Sequence, residues 1–281
     1  MLKPIGLDRT RVRQRFNQKR QPEARADFLL QEAERRLLER LLPMRLPAVS
    51  RVLDLGCGLG RSLPLLSQRF PEAELWAVDL ADQPLVEQCR VAGRASRGLH
   101  GLLKRWRAQP AMRPVHWLAA DAHQLPFPDS TVEVIWANLV FHWFDDPLAV
   151  LKECYRVLRP EGVLIFSAFG VDTARELREK GVLADEGLAP GFQDMHDWGD
   201  AMMETGFVAP VMDMEHLRLT YRTRASLVSD LDALGFPVPP PDAEVAALTI
   251  ELVFGHAWMP AQKALAGGLA PIRIVRRRSG T

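Results

Sequence analysis

The chain is short of cysteine, of net charge and of long apolar runs, and each shortage removes a class of protein. Cys57, Cys89 and Cys154 are the only cysteines, too few and too scattered for a disulfide framework or a cysteine-built zinc site. A reducing cytoplasm is therefore expected, and no metal. Lys and Arg number 36 against 35 Asp and Glu, a formal net charge of +1, which provides no global attraction to nucleic acid or to a membrane surface. No uninterrupted apolar stretch approaches the roughly 18 residues that cross a bilayer, and residues 1–25 are basic and polar without a signal-like apolar centre. What is present, 47% hydrophobic and 25% charged residues over 281 positions, suits a globular chain with one catalytic domain and appendages.

The segment around which the rest is organised is Val52-Leu53-Asp54-Leu55-Gly56-Cys57-Gly58-Leu59-Gly60. An apolar run stops at an acidic residue and opens into alternating glycines, the pattern of a buried strand, a tight turn and a helix start. Glycine lets such a turn take positive φ and bring its N–H groups against a ligand. A second apolar segment, Leu75-Trp76-Ala77-Val78, ends in Asp79, about 20 residues further on, where nucleotide sites of this kind keep a ribose-binding carboxylate. A dinucleotide fingerprint would need its third glycine at position 61, which is Arg61. Here the third glycine is Gly60.

The spacing Asp54-x-Gly56-x-Gly58-x-Gly60 resembles the first motif of the class I S-adenosylmethionine-dependent methyltransferases. The following segments keep the register of that family. A helix is expected over Ser62–Phe70, a second from Asp82 to Cys89, a third strand over Val115–Ala119 leading to Asp121-Ala122, and a fourth over Val132–Ala137 leading to Asn138 and His142. Asp146 and Pro147 form an N-cap and first-turn pair for a helix over Leu148–Leu158. Arg159-Pro160-Glu161-Gly162 resembles the family's turn into a fifth strand, Val163–Ala168, with Glu161 in place of a glycine. Alternating strands and helices predict a parallel, doubly wound α/β sheet; the resemblance implies two further strands, giving a Rossmann-like seven-stranded sheet in a single domain with an N-terminal helical extension. The divisions expected are a basic arm and helix over 1–47, a cofactor-binding core over 48–170 and the C-terminal part of the same domain, with substrate-side elements, over 171–281.

What the resemblance implies for the site follows. S-adenosylmethionine is the methyl donor. Gly56, Gly58 and Gly60 approach its methionine part, Asp79 the ribose, and Asp121 with Ala122 the adenine, while Asp54, Cys57, Leu80 and Asn138 belong to the cofactor-binding set. Asn138 and His142 are the candidates for catalysis, and no metal is implied. His142 is either a general base, since imidazole titrates near neutral pH, or a buried residue bonded to the backbone. Methyl transfer to a carboxylate needs no base, because the acceptor is already an anion; proximity and alignment suffice.

Substrate identity belongs to the two ends of the chain. Phe169–Leu177, His196–Phe207, Pro210–Asp213 and Glu251–Trp258 resemble the malonyl-[acyl-carrier-protein] O-methyltransferases of biotin synthesis, which implies a malonyl-acyl carrier protein substrate, or another small carboxylate. A methyltransferase acting on trans-aconitate or on a quinone carbon would share residues 50–170, as would a methyltransferase-like respiratory-complex assembly factor. Arg90, Arg94, Arg97, Lys104, Arg105, Arg107 and Arg113 load 90–113 with positive charge, which reads either as a solvated face or as a docking surface for an acidic protein at Arg94, Arg97, Lys104, Arg105 and Arg107. Neither nucleic acid nor a membrane is an expected partner. Arg9, Arg11, Arg13, Arg15, Lys19 and Arg20 make the N-terminus a solvated arm on the simplest reading, with ordering over the site as the alternative. Asp27 is placed as the cap of the next helix, whose Leu30, Ala33, Leu37, Leu38 and Leu41 recur at helical spacing up to Pro43.

Overall fold

A computed structural model describes residues 2, 6–18, 26–86, 114–182, 191–241 and 243–262. The basic stretch carrying Arg94, Arg97, Lys104, Arg105 and Arg107 lies outside them, and the helix expected from Asp82 is described only over 82–86. The elements in chain order are helices α1 (Arg9–Asn17) and α2 (Ala26–Leu41), strand β1 (Arg51–Leu55), helix α3 (Leu63–Arg69), strands β2 (Glu74–Asp79), β3 (Val115–Ala119) and β4 (Val132–Ala137), a 3-10 turn at Phe141–Trp143, helix α4 (Pro147–Val157), strand β5 (Leu158–Phe169), the short helix α5 (Arg175–Arg178), helix α6 (Met195–Thr205), strand β6 (Val208–Thr220), helix α7 (Arg224–Leu234) and strand β7 (Ala247–Trp258). No helix among the described residues is long and apolar enough to cross a membrane.

One seven-stranded sheet runs β3-β2-β1-β4-β5-β7-β6. Strands β1 to β5 are parallel, and β7 enters antiparallel between β5 and β6. All six residues of β4 are buried, as expected for a central parallel strand covered on both faces. Successive side chains of β1 divide between two core layers: Val52 joins Leu29, Ala33, Leu37 and Leu41 of α2 and Leu227 and Leu231 of α7, whereas Leu53 joins Val150, Leu151 and Cys154 of α4 and Trp198 of α6. Helix α2 extends from the parallel half of the sheet to its far edge, where Arg36 and Arg40 pair with Glu215 and Asp213 of β6.

Local chemistry explains the boundaries. Asp146 caps α4 by accepting the Ala149 N–H at 3.0 Å, with Pro147 in the first turn. Helix α2 begins at Ala26, so Asp27 stands inside its first turn and not before it, a correction to the expected cap. The Arg159–Gly162 segment does not separate helix from strand, because β5 starts at Leu158 and carries these residues as an irregularity against β4 between Val132 and Val134. Glu161 sits there at φ 64°, in the left-handed region that favours glycine.

Below the sheet, the buried Glu133 carboxylate gathers donors that would otherwise be orphaned at the start of β1. It accepts the Ser50 N–H at 3.1 Å, the Ser50 hydroxyl at 2.9 Å, the Arg51 N–H at 2.8 Å and the Arg159 guanidinium at 2.5 Å. Glu133→Ala strips all of these at once, and a loss of about 3 kcal/mol in unfolding free energy is expected, read from urea denaturation of both proteins.

Candidate active site

The ends of β1 and β4 meet where the strand order reverses, the position at which open α/β sheets bind ligands. After Leu55 the chain is tied to its neighbour by two N–H groups, those of Gly56 and Cys57, which both donate to the Val78 carbonyl at 2.8 and 3.1 Å. Asp79, the last residue of β2, then holds two loops together. Its Oδ2 accepts the Gly58 N–H and its Oδ1 the Ala81 N–H, each at 2.8 Å. Gly56, Gly58 and Gly60 all have positive φ. A Cβ at Gly56 would come within 2.3 Å of Val140 and one at Gly60 within 2.3 Å of Trp117, whereas one at Gly58 meets nothing within 4 Å. Two of the glycines thus serve the protein's own packing, and Gly58 alone faces open space. Cys57 is buried beside it, its thiol pushed up by burial and then by Asp54 and Asp79; Leu80 follows directly on Asp79.

Asp54 lies on the β1 face shared with Val52, toward α2. It is 3% exposed, its Oδ2 has no hydrogen-bond partner, and its carboxyl is pushed well above the usual range, first by burial and then by the charges of Glu34 and Asp79. A cationic ligand group suits this position.

The N-terminal arm is where the simplest sequence expectation fails. Residues 9–17 form a helix capped by the Asp8 carboxylate, which accepts the Thr10 N–H at 2.8 Å, and this helix lies over the carboxyl ends of the strands. Its arginines are paired, not merely solvated. Arg9 bridges Asp121 Oδ2 at 2.8 Å and Asp145 at 3.1 Å, Arg13 meets Asp82 at 3.1 Å, and Arg15 meets Asp232 of α7 at 2.9 Å. Asn17 bonds Asp82 and accepts the Gln83 N–H. Val12 is buried, and Phe16 stands edge-on to Trp143 with ring centroids 5.1 Å apart.

Asp121 therefore has a partner on each oxygen. Oδ1 accepts the His123 N–H at 2.9 Å and meets the His123 ring at 2.7 Å, and Oδ2 holds Arg9. Burial alone would raise this carboxyl, but the bonds from His123 and Arg9 outweigh it and keep the group below the ordinary carboxylate range. Ala122 beside it is buried.

The two catalytic candidates stand at the exit of β4. Asn138 spends both ends of its amide within the protein: Oδ1 accepts the Ser167 hydroxyl at 2.7 Å, and Nδ2 donates to the Leu30 carbonyl of α2 at 3.3 Å. His142 is 1% exposed, among Phe169, Trp143 and Phe192. Its Nδ1 accepts the Phe169 N–H at 3.3 Å, which leaves the proton on Nε2. Burial drives its pKa down to about 3, so the ring is neutral and a poor base. Of the two readings left open by the sequence, the buried, backbone-bonded one holds. Ser167 and Glu34 were not singled out from the sequence, and Arg9 was named only as one of the basic residues of the arm, without its acidic partners. Elsewhere, Asp172, His216 and Glu251 converge at the end of β5, where Glu251 accepts the Asp172 N–H and His216 meets Asp172, closing the turn after Phe169.

Residues 53–166 match the family model described as a methyltransferase domain. The malonyl-[acyl-carrier protein] O-methyltransferase of Halorhodospira halophila is 37% identical over 90% of this chain and 88% of its own length. The protein of the same name from Methylovorus is 32% identical over 98% of this chain and 97% of its own. Among solved structures, the YcgJ protein of Bacillus subtilis superposes with a TM-score of 0.56 at 16% identity, covering 80% of this chain and 97% of that one. A methyltransferase-like protein of Bacillus halodurans gives 0.55 at 18% identity, covering 80% and 98%. These two share the fold.

The buried neutral histidine has a pH signature. Its folded pKa lies below its unfolded value of 6.5, so the stability it confers is complete above that value and lost as pH falls toward 3. Between pH 7 and pH 5 the wild type should lose about 2 kcal/mol more unfolding free energy than His142→Gln, measured by urea denaturation at each pH.

Proposed function

Because the chain belongs to the malonyl-[acyl-carrier protein] O-methyltransferase family, we propose that it transfers the methyl group of S-adenosylmethionine to the free carboxylate of a malonyl-acyl carrier protein, forming the methyl ester. In that reaction a carboxylate oxygen attacks the sulfonium methyl in line, the carbon–sulfur bond breaks, and the electron pair leaves with sulfur as a neutral thioether. No proton moves. The observation that carries the reading is that neither candidate at the exit of β4 can serve as a base: Asn138 is a neutral amide bonded to Leu30 and Ser167, and His142 is neutral and sealed. A hydroxyl or amine acceptor would need a base there; a carboxylate does not.

The residues divide the work as follows. Gly58 offers backbone that a ligand can approach. Asp79, at the end of β2 and bonded to the glycine loop, is the acceptor for the ribose hydroxyls. Asp121 accepts the adenine amino group once Arg9 gives up Oδ2, so α1 and the cofactor share one carboxylate. Proximity and alignment within this cleft supply the rate, as in other reactions whose nucleophile is already formed. The ester removes the charge that marks the malonyl group, leaving it able to enter acyl-chain elongation as a primer for biotin synthesis. The acidic carrier protein is the partner that the arginines of 90–113 suit.

Transfer of labelled methyl from S-adenosylmethionine to malonyl-acyl carrier protein, malonyl-coenzyme A and trans-aconitate, run side by side, tests this. Label on the carrier protein that mild base releases is expected. Label only on trans-aconitate, or none on any acceptor from a protein that still binds the cofactor, would overturn the substrate assignment.

A further inference from the structure

Helix α2 brings a second carboxylate to the cofactor loop. Its Leu30 carbonyl is bonded to Asn138 at the end of β4, which fixes the N-terminal half of the helix over the carboxyl ends of the strands. Glu34 lies one turn further along the same face. Asp54 faces it from β1, because Asp54 alternates with Leu53 and Leu55 and shares the side of Val52, whose core layer is built with Ala33 and Leu37 of α2. The charge of Glu34 acts directly on the Asp54 carboxyl.

One oxygen of each group is left without a partner in the protein. Glu34 Oε1 and Asp54 Oδ2 are both buried without a hydrogen-bond partner, and among the described residues no arginine, lysine or histidine pairs with either. Two facing carboxylates in a water-poor site repel each other and pay for desolvation without return. The α2 positions around Glu34 that face the sheet carry Ala33 and Leu37, so a helix surface serving only packing would place an apolar residue here. The chemistry that satisfies two such acceptors is a compact cation with several N–H donors.

We propose that Glu34 and Asp54 together form a two-carboxylate receptor for the ammonium group of the cofactor's methionine part, making Glu34 a binding residue contributed by α2. The assignment rests on the cofactor reading above. It explains why an acid stands beside the apolar Ala33 and Leu37 at this point of α2, and it couples cofactor affinity to the docking of α2 through Asn138. The glycine loop and α2 then hold the methionine part from opposite sides.

The test uses two ligands that differ at this group. S-adenosylhomocysteine carries the ammonium; 5′-methylthioadenosine retains adenosine and sulfur but lacks the whole amino-acid part. Calorimetric titration of wild type and Glu34→Gln with both is the experiment, with thermal unfolding of each ligand-free protein beside it. Losing a charge-assisted contact should weaken S-adenosylhomocysteine about 10- to 100-fold while leaving methylthioadenosine within about twofold. The ligand-free variant should melt no lower than wild type, since the substitution relieves a repulsion. An equal loss for both ligands, no loss for either, or a lower melting temperature for the ligand-free variant would overturn the proposal. A wild type that binds neither ligand would overturn the cofactor reading itself.

Discussion

Asp79 joins the first two strands of the sheet to the loop between β1 and α3. One carboxylate oxygen accepts the Gly58 N–H and the other the Ala81 N–H, so the turn after β1 and the turn after β2 move as one body. Gly56 and Gly60 make that body compact, since a methyl group at either would strike Val140 or Trp117. With those two committed to packing, the loop presents a single approachable stretch of backbone, at Gly58. The candidate site is thus the consequence of one hydrogen-bonded carboxylate and of three glycines with two different duties.

Around this centre the carboxyl edge of the sheet collects acidic groups. Asp121, Asp145 and Asp82 pair with Arg9 and Arg13 of α1, and Asp54 faces Glu34 of α2. The two groups of acids are balanced differently. Those toward α1 are neutralised by cations the chain supplies, and the pair toward α2 is not. A cofactor that carries positive charge at its sulfonium and ammonium groups suits the second, while the adenine contact proposed for Asp121 requires exchange with Arg9. Such exchange costs little, because Arg9 and Asp121 are both partly exposed and ion pairs of that kind contribute on the order of 1 kcal/mol or less.

The parallel half of the sheet was legible in the sequence wherever an apolar run was bounded by turn chemistry. Val115–Ala119 and Val132–Ala137 end where expected, and Asp146-Pro147 starts its helix. Strand β6 offered no such run: its residues alternate between exposed and half-buried at the sheet edge, and only the family resemblance anticipated it. The N-terminal helix was misread because a row of arginines looks solvated until its partners are known, and Asp82, Asp121, Asp145 and Asp232 are remote in the chain. Glu34 escaped notice for a related reason, since an acid within an amphipathic helix is ordinary until a strand places Asp54 opposite it. The glycine loop was found correctly, but that Gly58 alone faces open space depends on Val140 and Trp117, which only the fold brings near.

The first experiment is a crystal structure with S-adenosylhomocysteine. The ribose hydroxyls are expected on Asp79, the chain of the amino-acid part passing over Gly58, and the adenine amino group on Asp121 Oδ2 with the Arg9 guanidinium moved off that oxygen. A ligand bound away from Gly58 and Asp79, or one whose adenine leaves the Arg9–Asp121 pair intact, would contradict that placement.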